Sequence, residues 1–201
     1  MLRLYDFLPS GNGYKVRLLL SQLGIPYERI ELNILKGETR TPEFLRKNPN
    51  GRIPVLETQA GQFLAESNAI LFYLSEGTKF LPDDLFLRSQ VLQWLFFEQY
   101  SHEPNIATSR FWVSILGKSE EYKEALEQKR ELGYAALRVM EKHLTSHTFF
   151  VDNHYTIADI CLYAYTHVAH EGGFDLMQFP AINTWLERVK NQPRYISIIQ
   201  Y

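Results

Sequence analysis

The sequence predicts two domains, an α/β domain followed by an all-helical domain, and three observations carry this prediction. Short strand patterns alternate with helical patterns over the first 76 residues. The segment from Gly77 to Asp84 breaks both periodicities and contains Pro82. From about Leu85 onward the strand patterns disappear and long helical patterns follow. We therefore expect domains over residues 1–76 and 85–201, joined by a linker over residues 77–84.

The first domain is predicted from its local patterns, taken in chain order. Residues 2–7 have the apolar and aromatic content of a strand. After a loop over residues 9–13, apolar residues recur at helical spacing from Val16 to Leu23, and Gly24 is a natural left-handed stop. A second strand is expected over residues 27–32.

The rest of this domain is a short helix, a hairpin and a third helix. Thr41 is a cap residue and Pro42 occupies the first position of the short helix. Residues 53–56 and 62–64 form an antiparallel hairpin, and a helix covers residues 67–75. The order β-α-β-α-β-β-α is that of a thioredoxin-like domain, in which the first crossover makes a parallel strand pair.

The second domain carries one strong helix-start signal. Thr156 and Asp159 have the spacing of a capping box, which we interpret as a folding feature without chemistry. Cys161 follows among apolar residues and is expected to be buried.

Composition narrows the class of protein. The chain has 201 residues, 45% of them hydrophobic, and a formal net charge of −2, so nothing favours nucleic acid or an anionic membrane as partner. No apolar run approaches the roughly 20 residues that span a bilayer, and the amino terminus carries charge too early for a signal peptide. The single cysteine excludes an internal disulfide and fits a reducing cytosol. Metal-ligand spacing and a Gly-rich phosphate loop are absent.

Two segments of the first domain point to a peptide-like ligand. Ile53-Pro54 enters a short β-branched run, where a cis bond is tolerated, and we expect the bond to be cis. The backbone of Ile53 would then be free to pair with an extended peptide. Glu66 and Ser67 stand where a helix begins, so unpaired N–H groups, the helix dipole and a hydroxyl can bind a carboxylate.

With these motifs in this order, the whole chain resembles the cytosolic glutathione transferases. The resemblance implies a thioredoxin-like domain that binds glutathione as co-substrate, a helical domain that contributes the pocket for an electrophile, a homodimer and a cytoplasmic role in detoxification. It implies that Ile53 pairs with the cysteinyl unit, that Pro54 holds the cis turn, and that Glu66 and Ser67 take the γ-glutamyl end.

Two arginines are further candidates for glutathione contacts, and a solvated surface charge is the alternative for each. Arg52 matches the Lys or Gln that several classes carry before their Ile/Val-Pro. Arg40 lies in the loop where such classes often place a His or Lys for the glycine carboxylate, so this chain departs from the family there.

The chemistry requires activation of the glutathione thiol. A free thiol has a pKa of about 8.5, and lowering it by roughly two units stabilises the thiolate by about 2.7 kcal/mol. Ser10 lies directly before the first helix, at the position of the catalytic serine in the theta, zeta and delta classes, and is the first candidate. Asn12 and the phenol of Tyr5 are alternative donors, and a plain N-cap role for Ser10 is the structural alternative.

The same loop bears on two other functions. No cysteine occupies Ser10 or Gly13, which excludes a Cys-x-x-Cys dithiol mechanism. A zeta-type isomerase carries Ser-Ser-Cys-Ser where this chain has Ser10-Gly11-Asn12-Gly13, which counts against that alternative. A non-catalytic binding or scaffold module remains a further alternative.

The electrophile pocket is predicted in an aromatic-rich helical stretch of the second domain. The candidates are Tyr100, Ser101, Pro104 and Arg110. Packing of the aromatic residues between helices is the alternative reading, and His102 is expected to be a hydrogen-bonded helix histidine without a catalytic role.

Overall fold

The computed structural model describes residues 1–201, which divide into two compact units. The first unit comprises Met1–Glu76 together with Pro193–Tyr201, and the second comprises Gly77–Gln192. The predicted linker therefore belongs to the second unit. The last nine residues belong to the first, contrary to the expectation that the helical domain extends to Tyr201. Backbone carbonyls of this last segment accept hydrogen bonds from helix side chains of the first unit, such as Tyr14.

The first unit has the predicted order of elements and a thioredoxin-like fold. Its elements are β1 (Leu2–Asp6), α1 (Gly11–Leu23), β2 (Tyr27–Glu31), α2 (Pro42–Lys47), β3 (Val55–Glu57), β4 (Phe63–Ala65) and α3 (Ser67–Ser75), with 3₁₀ turns at Ile34–Lys36 and Glu38–Arg40. The sheet order is β2-β1-β3-β4. β1 and β2 are parallel, as predicted for the first crossover, and the other two pairs are antiparallel.

Helix α1 begins earlier than the sequence pattern predicts. The expected loop over residues 9–13 is helical from Gly11 onward, and its glycine at position 13 lets α1 approach the end of β1 closely. A Cβ atom at Gly13 would lie 1.6 Å from Oδ1 of Asp6, so only glycine permits this approach. At its other end α1 stops at Gly24, whose φ of 68° is the left-handed conformation that the sequence predicted.

A buried ion pair joins β1 to α1. Nε of Arg17 lies 2.9 Å from Oδ2 of Asp6, and both side chains are fully buried. Burial raises the pKa of the Asp6 carboxyl, and the Arg17 guanidinium opposes that rise. Breaking one member of such a pair leaves an uncompensated buried charge, so the two residues fix the end of β1 against α1.

The second unit is helical throughout. Its helices are α4 (Leu85–Phe97), α5 (Glu103–Arg110), α6 (Lys123–Leu144), α7 (Ile157–Thr166) and α8 (Pro180–Lys190). Turns of π-helix follow α4 at Glu98–His102 and α5 at Phe111–Ile115, and a 3₁₀ turn covers Ala169–Gly172. No α-helix of either unit has both the length and the apolar composition needed to cross a bilayer.

The capping box at α7 is present as predicted. The Asp159 carboxylate accepts hydrogen bonds from the backbone of Thr156 and Phe150 and from Nε1 of Trp185. Burial raises the pKa of Asp159 to about 7, and these donors limit the rise because they favour the charged form. Cys161 on the same helix is buried, as expected.

Candidate functional site

Ser10 is the N-cap of α1. Its Oγ accepts a hydrogen bond from the backbone N–H of Gly13 at 3.3 Å, which is the structural role considered from the sequence. A turn positions the residue, because its own N–H donates to the carbonyl of Phe7 at 2.7 Å. The capping bond uses an acceptor lone pair and leaves the hydroxyl proton available to a ligand. Ser10 can therefore cap the helix and donate to an anion at the same time.

The start of α3 has an unusual backbone. Glu66 has a φ of 67° and a ψ of 112°, a conformation that a residue with a side chain rarely adopts. The Glu66 side chain is exposed and does not cap the helix. Strain of this kind is concentrated at ligand sites, where the surrounding structure holds it in place.

One hydrogen bond joins the first turns of α1 and α3. Oγ of the buried Ser67 donates to Oδ1 of Asn12 at 3.3 Å. This distance is long for a hydroxyl donor, so the Ser67 hydroxyl can be redirected to a ligand at little cost. The contact brings together the N-termini of two helices and the positive ends of their dipoles.

Lys15, a cation that the sequence analysis did not identify as a site residue, lies next to this contact. Lys15 is fully buried, and its Nζ donates to Oγ of Ser67 and to Oδ1 of Asn68, each at 3.4 Å. The presence of a lysine and an arginine among the apolar residues of α1 was the sequence feature that could have indicated buried cations. Lys15 adds positive charge where the α3 N-terminus already favours an anion.

The bond between Ile53 and Pro54 is cis, which confirms the prediction. The pairing of β1 with β3 ends at Tyr5↔Val55, so Ile53 lies two residues beyond the last paired position. Its backbone consequently lies beyond the paired part of β3, where an extended peptide can pair with it.

Arg40 and Arg52 flank the same loop. Nη1 of Arg40 donates to the carbonyl of Asn50 at 2.9 Å, which places the guanidinium beside the segment that leads to the cis bond. Arg52 is exposed, and its carbonyl accepts from Nδ2 of Asn48 at 2.8 Å. No cluster of three or more His, Cys, Asp or Glu side chains is arranged to hold a metal ion.

Two family models match the chain in order. The model of the glutathione S-transferase N-terminal domain matches residues 1–76, and that of the C-terminal domain matches residues 103–193. The chain belongs to the glutathione S-transferase family.

The curated relatives of this chain are named for different functions. It is 31% identical to the disulfide-bond oxidoreductase YfcG of Escherichia coli, over 96% of this chain and 92% of that protein. It is 30% identical to the transcriptional regulator URE2 of Saccharomyces cerevisiae, over 98% of this chain and 67% of that protein.

Solved structures agree with the family assignment. A glutathione S-transferase from Pseudomonas fluorescens superposes with a TM-score of 0.97, at 52% identity and with 99% of both chains covered. The Ure2p chain solved in complex with glutathione superposes with a TM-score of 0.87 at 27% identity, over 98% of this chain and 92% of that one.

The hydroxyl of Tyr5, the alternative donor for thiol activation, already has a hydrogen-bond partner. Its hydroxyl donates to Oε2 of Glu57 at 2.8 Å. Burial and this carboxylate raise the pKa of Tyr5 to about 12. A phenol that already donates to a carboxylate is a poor donor for a thiolate, so the geometry favours Ser10 and Asn12 over Tyr5.

The four predicted electrophile-pocket residues all belong to the second unit, whereas the glutathione candidates belong to the first. Tyr100, at 88% exposure, and Ser101 belong to the π-helical turn Glu98–His102. Pro104 explains this turn, since it lacks the N–H that would bond to the Tyr100 carbonyl in an α-helix. Turns of π-helix are frequent at functional sites.

Arg110 and His102 are held by protein partners within the second unit. Nε of Arg110 lies 2.7 Å from Oε2 of Glu171. Nε2 of the buried His102 lies 2.9 Å from Oγ1 of Thr166, which agrees with the expected structural role. The assignment of Tyr100, Ser101, Pro104 and Arg110 to an electrophile pocket stays a prediction.

Proposed function

We propose that this protein is a glutathione transferase that adds the glutathione thiolate to small, mostly apolar electrophiles. The observation that carries the proposal is the meeting of the α1 and α3 N-termini through Ser67 and Asn12, with Ser10 on one side and the strained Glu66 on the other. A γ-glutamyl group needs an acceptor for its ammonium and donors for its carboxylate. Glu66 supplies the first, and Ser67 with the α3 N–H groups supplies the second.

The remaining contacts follow the extended shape of the tripeptide. The backbone of Ile53, turned by the cis bond to Pro54, pairs with the cysteinyl unit as an added strand. Arg52 and Arg40 supply cations for the glycine carboxylate at the other end. This direction places the cysteinyl sulfur near the N-terminus of α1.

Ser10 then activates the thiol. Its hydroxyl donates to the sulfur, and the α1 dipole favours the negative charge, so the thiolate forms near neutral pH. The thiolate attacks an electrophilic carbon, a C–S bond forms, and a leaving group departs with the electron pair of its bond to carbon. Where the electrophile has no leaving group, a proton adds to the atom that receives the electrons.

A panel of electrophiles assayed with and without glutathione tests the proposal. The panel contains a halogenated aromatic, an isothiocyanate, a hydroperoxide and an alkyl halide. We expect glutathione-dependent turnover of at least one carbon electrophile, with loss of activity in Ser10→Ala. Tight glutathione binding without turnover of any of the four would support the alternative of a binding module. This alternative is included because one relative is named as a transcriptional regulator.

A second candidate function is glutathione-dependent reduction of disulfides. It is favoured by the relative named as a disulfide-bond oxidoreductase, which matches this chain almost from end to end. The site needs no protein cysteine for this reaction, and Cys161 is buried in the second unit. The activated thiolate attacks one sulfur of a disulfide and releases a thiolate, and a second glutathione then yields a second thiol and oxidised glutathione. Coupling a small disulfide substrate to glutathione reductase and NADPH measures this activity directly.

The homodimer and the cytoplasmic location are also proposals. Family resemblance carries both, and exposed aromatic side chains such as Phe86 and Tyr73 are compatible with a buried interface between two copies.

A further inference from the structure

The last nine residues, Pro193–Tyr201, form a segment that we call the C-terminal strap. The strap lies with the first unit, although the family models end at residues 76 and 193. Side chains of α1 donate to alternate backbone carbonyls of the strap: Ser21 to Arg194 (2.9 Å), Tyr14 to Ile196 (2.8 Å), and Arg17 to Ile198 (2.8 Å) and Gln200 (2.6 Å). Residues 14, 17 and 21 share one face of the helix, so the strap lies against that face.

Arg17 is the centre of this arrangement. Its side chain is fully buried, and its Nη1 donates to both Ile198 and Gln200 of the strap. Nη2 donates to the carbonyl of Leu8 at 2.7 Å, while Nε faces Asp6 at 2.9 Å. Three of the five guanidinium N–H groups thereby donate hydrogen bonds, and Nε faces Asp6 as an ion pair without hydrogen-bond geometry.

The contact with Leu8 leads to the proposed activating residue. Leu8 lies inside the turn that the Ser10 N–H closes onto the Phe7 carbonyl. Because the guanidinium is planar and rigid, the direction of its bond to Leu8 depends on the acceptors that hold its other nitrogen atoms. Loss of the two strap carbonyls would leave two buried donors unpaired, and the guanidinium would have to turn toward other acceptors.

We propose that the C-terminal strap positions Ser10 and that Arg17 is the positioning residue through which it acts. The inference rests on the proposed function, because it assumes that Ser10 activates the thiol. These hydrogen bonds join the strap to α1, whereas Glu66 and Ser67 begin α3, so the expected effect is on activation and not on the capture of glutathione.

The direct test is a chain that ends at Ile196. This truncation removes the carbonyls of residues 198 and 200 and retains that of Arg194, while the Ile196 oxygen that accepts from Tyr14 becomes part of the new terminal carboxylate. We expect the pKa of bound glutathione to rise by about one unit and kcat at pH 7 to fall about threefold, because a donor to the sulfur is misplaced. The KM for glutathione should change less than about twofold, since a lost transition-state contact lowers kcat without weakening ground-state binding.

Two point variants keep the test decisive if the truncated chain does not fold. Oε1 of Gln200 accepts from the N–H and from the hydroxyl of Ser197, both at 2.9 Å, and so fixes the turn that presents the carbonyls. Gln200→Ala should shift the thiol pKa in the same direction by a smaller amount. Arg17→Lys keeps the positive charge beside Asp6 but loses the planar guanidinium that donates to Leu8 and to the strap at the same time. It should reproduce the kinetic pattern of the truncation.

Tyr201→Ala is the matched control. It removes the ring that lies 4.1 Å from the Arg29 guanidinium carbon and leaves the carbonyls of Ile198 and Gln200 in place. The thiol pKa and kcat of this variant should equal those of the wild type.

Ser10→Ala, titrated in parallel, separates failure of the strap from failure of the proposed function. A raised thiol pKa in Ser10→Ala but not in the truncation, Gln200→Ala or Arg17→Lys overturns the strap proposal. Hydrogen exchange supplies a readout without catalysis. The Ser10 amide should exchange faster in the truncated chain and in Gln200→Ala, while the hairpin amide of Gly61, bonded to Thr58, should not. Equal protection of the Ser10 amide in all chains likewise overturns the proposal, whichever residue activates the thiol.

Discussion

Replacement of Ser10 by alanine removes one hydroxyl from the proposed site and leaves the backbone that surrounds it unchanged. The N–H of Tyr14 still donates to the Ser10 carbonyl at 2.9 Å, so the first turn of α1 keeps its main hydrogen bond. The capping bond that is lost, at 3.3 Å, is at the outer limit for an N–H donor. We therefore expect the unfolding free energy to fall by only about 0.5–1 kcal/mol.

The effect on the thiol should be larger than the effect on stability. A hydrogen bond to a charged group contributes about 1.5–3 kcal/mol, which corresponds to a rise of about 1–2 units in the pKa of bound glutathione. If the wild-type thiol pKa lies about two units below 8.5, this rise lowers the thiolate fraction at pH 7 about 3- to 25-fold, and kcat should fall by a similar factor. The KM for glutathione should change little, since Glu66, Ser67 and Ile53 are untouched.

Ultraviolet absorbance of the thiolate, titrated with bound glutathione, measures the shift directly. The matched variants are Asn12→Ala and Tyr5→Phe. Tyr5→Phe should leave the thiol pKa unchanged, because the phenol donates to Glu57. An unshifted pKa in Ser10→Ala, together with a raised pKa in Asn12→Ala, would refute the assignment and move the activating role to the Asn12 amide.

Four further outcomes are expected. Ser67→Ala should raise the KM for glutathione several-fold with little change in the thiol pKa; an unchanged KM contradicts the γ-glutamyl assignment. Gly13→Ala should destabilise the fold by at least about 2 kcal/mol in chemical denaturation, because its Cβ would lie 1.6 Å from Oδ1 of Asp6. Burial lowers the pKa of His167 to about 4 from an ordinary value near 6.5, so between these values the unfolded chain binds the additional proton and acid destabilises the fold. Relative to His167→Gln, the wild type should lose up to about 3 kcal/mol of unfolding free energy between pH 6.5 and pH 4. Sedimentation at micromolar concentration should show a dimer, and a monomer would contradict the proposed assembly.

Local signals in the sequence were sufficient for most of the first unit and for one helix start of the second. Gly24, the Thr41-Pro42 start and the Thr156 capping box each act through residues within one turn of themselves, so their patterns are legible without the fold. The cis bond and the start of α3 at Ser67 were predicted on the same basis. The expected loop over residues 9–13 was wrong in its second half, because Gly13, which reads as a loop residue, is needed inside the helix for the close approach of the distant side chain of Asp6.

The residues that surround the candidate site were harder to predict. Ser10, Asn12, Ile53 and Ser67 were identifiable because each stands in a short motif whose chemistry is local. The roles of Lys15 and Arg17 were not, since a charged residue in a helix is usually solvated and their partners are about 50 and 180 residues away in the chain.

The sequence by itself determined the order of elements, the cis bond at Pro54 and the helix start that carries Ser67, because dihedral preferences and capping depend on neighbours in the chain. Tertiary structure alone decided that Ser67 meets Asn12, that Tyr5 donates to Glu57, and that the C-terminal strap returns to α1. These contacts depend on which buried donors remain unpaired once the sheet and helices have packed. A local sequence pattern does not predict these pairs, because a polar group needs a protein partner only after the assembled fold has buried it away from water.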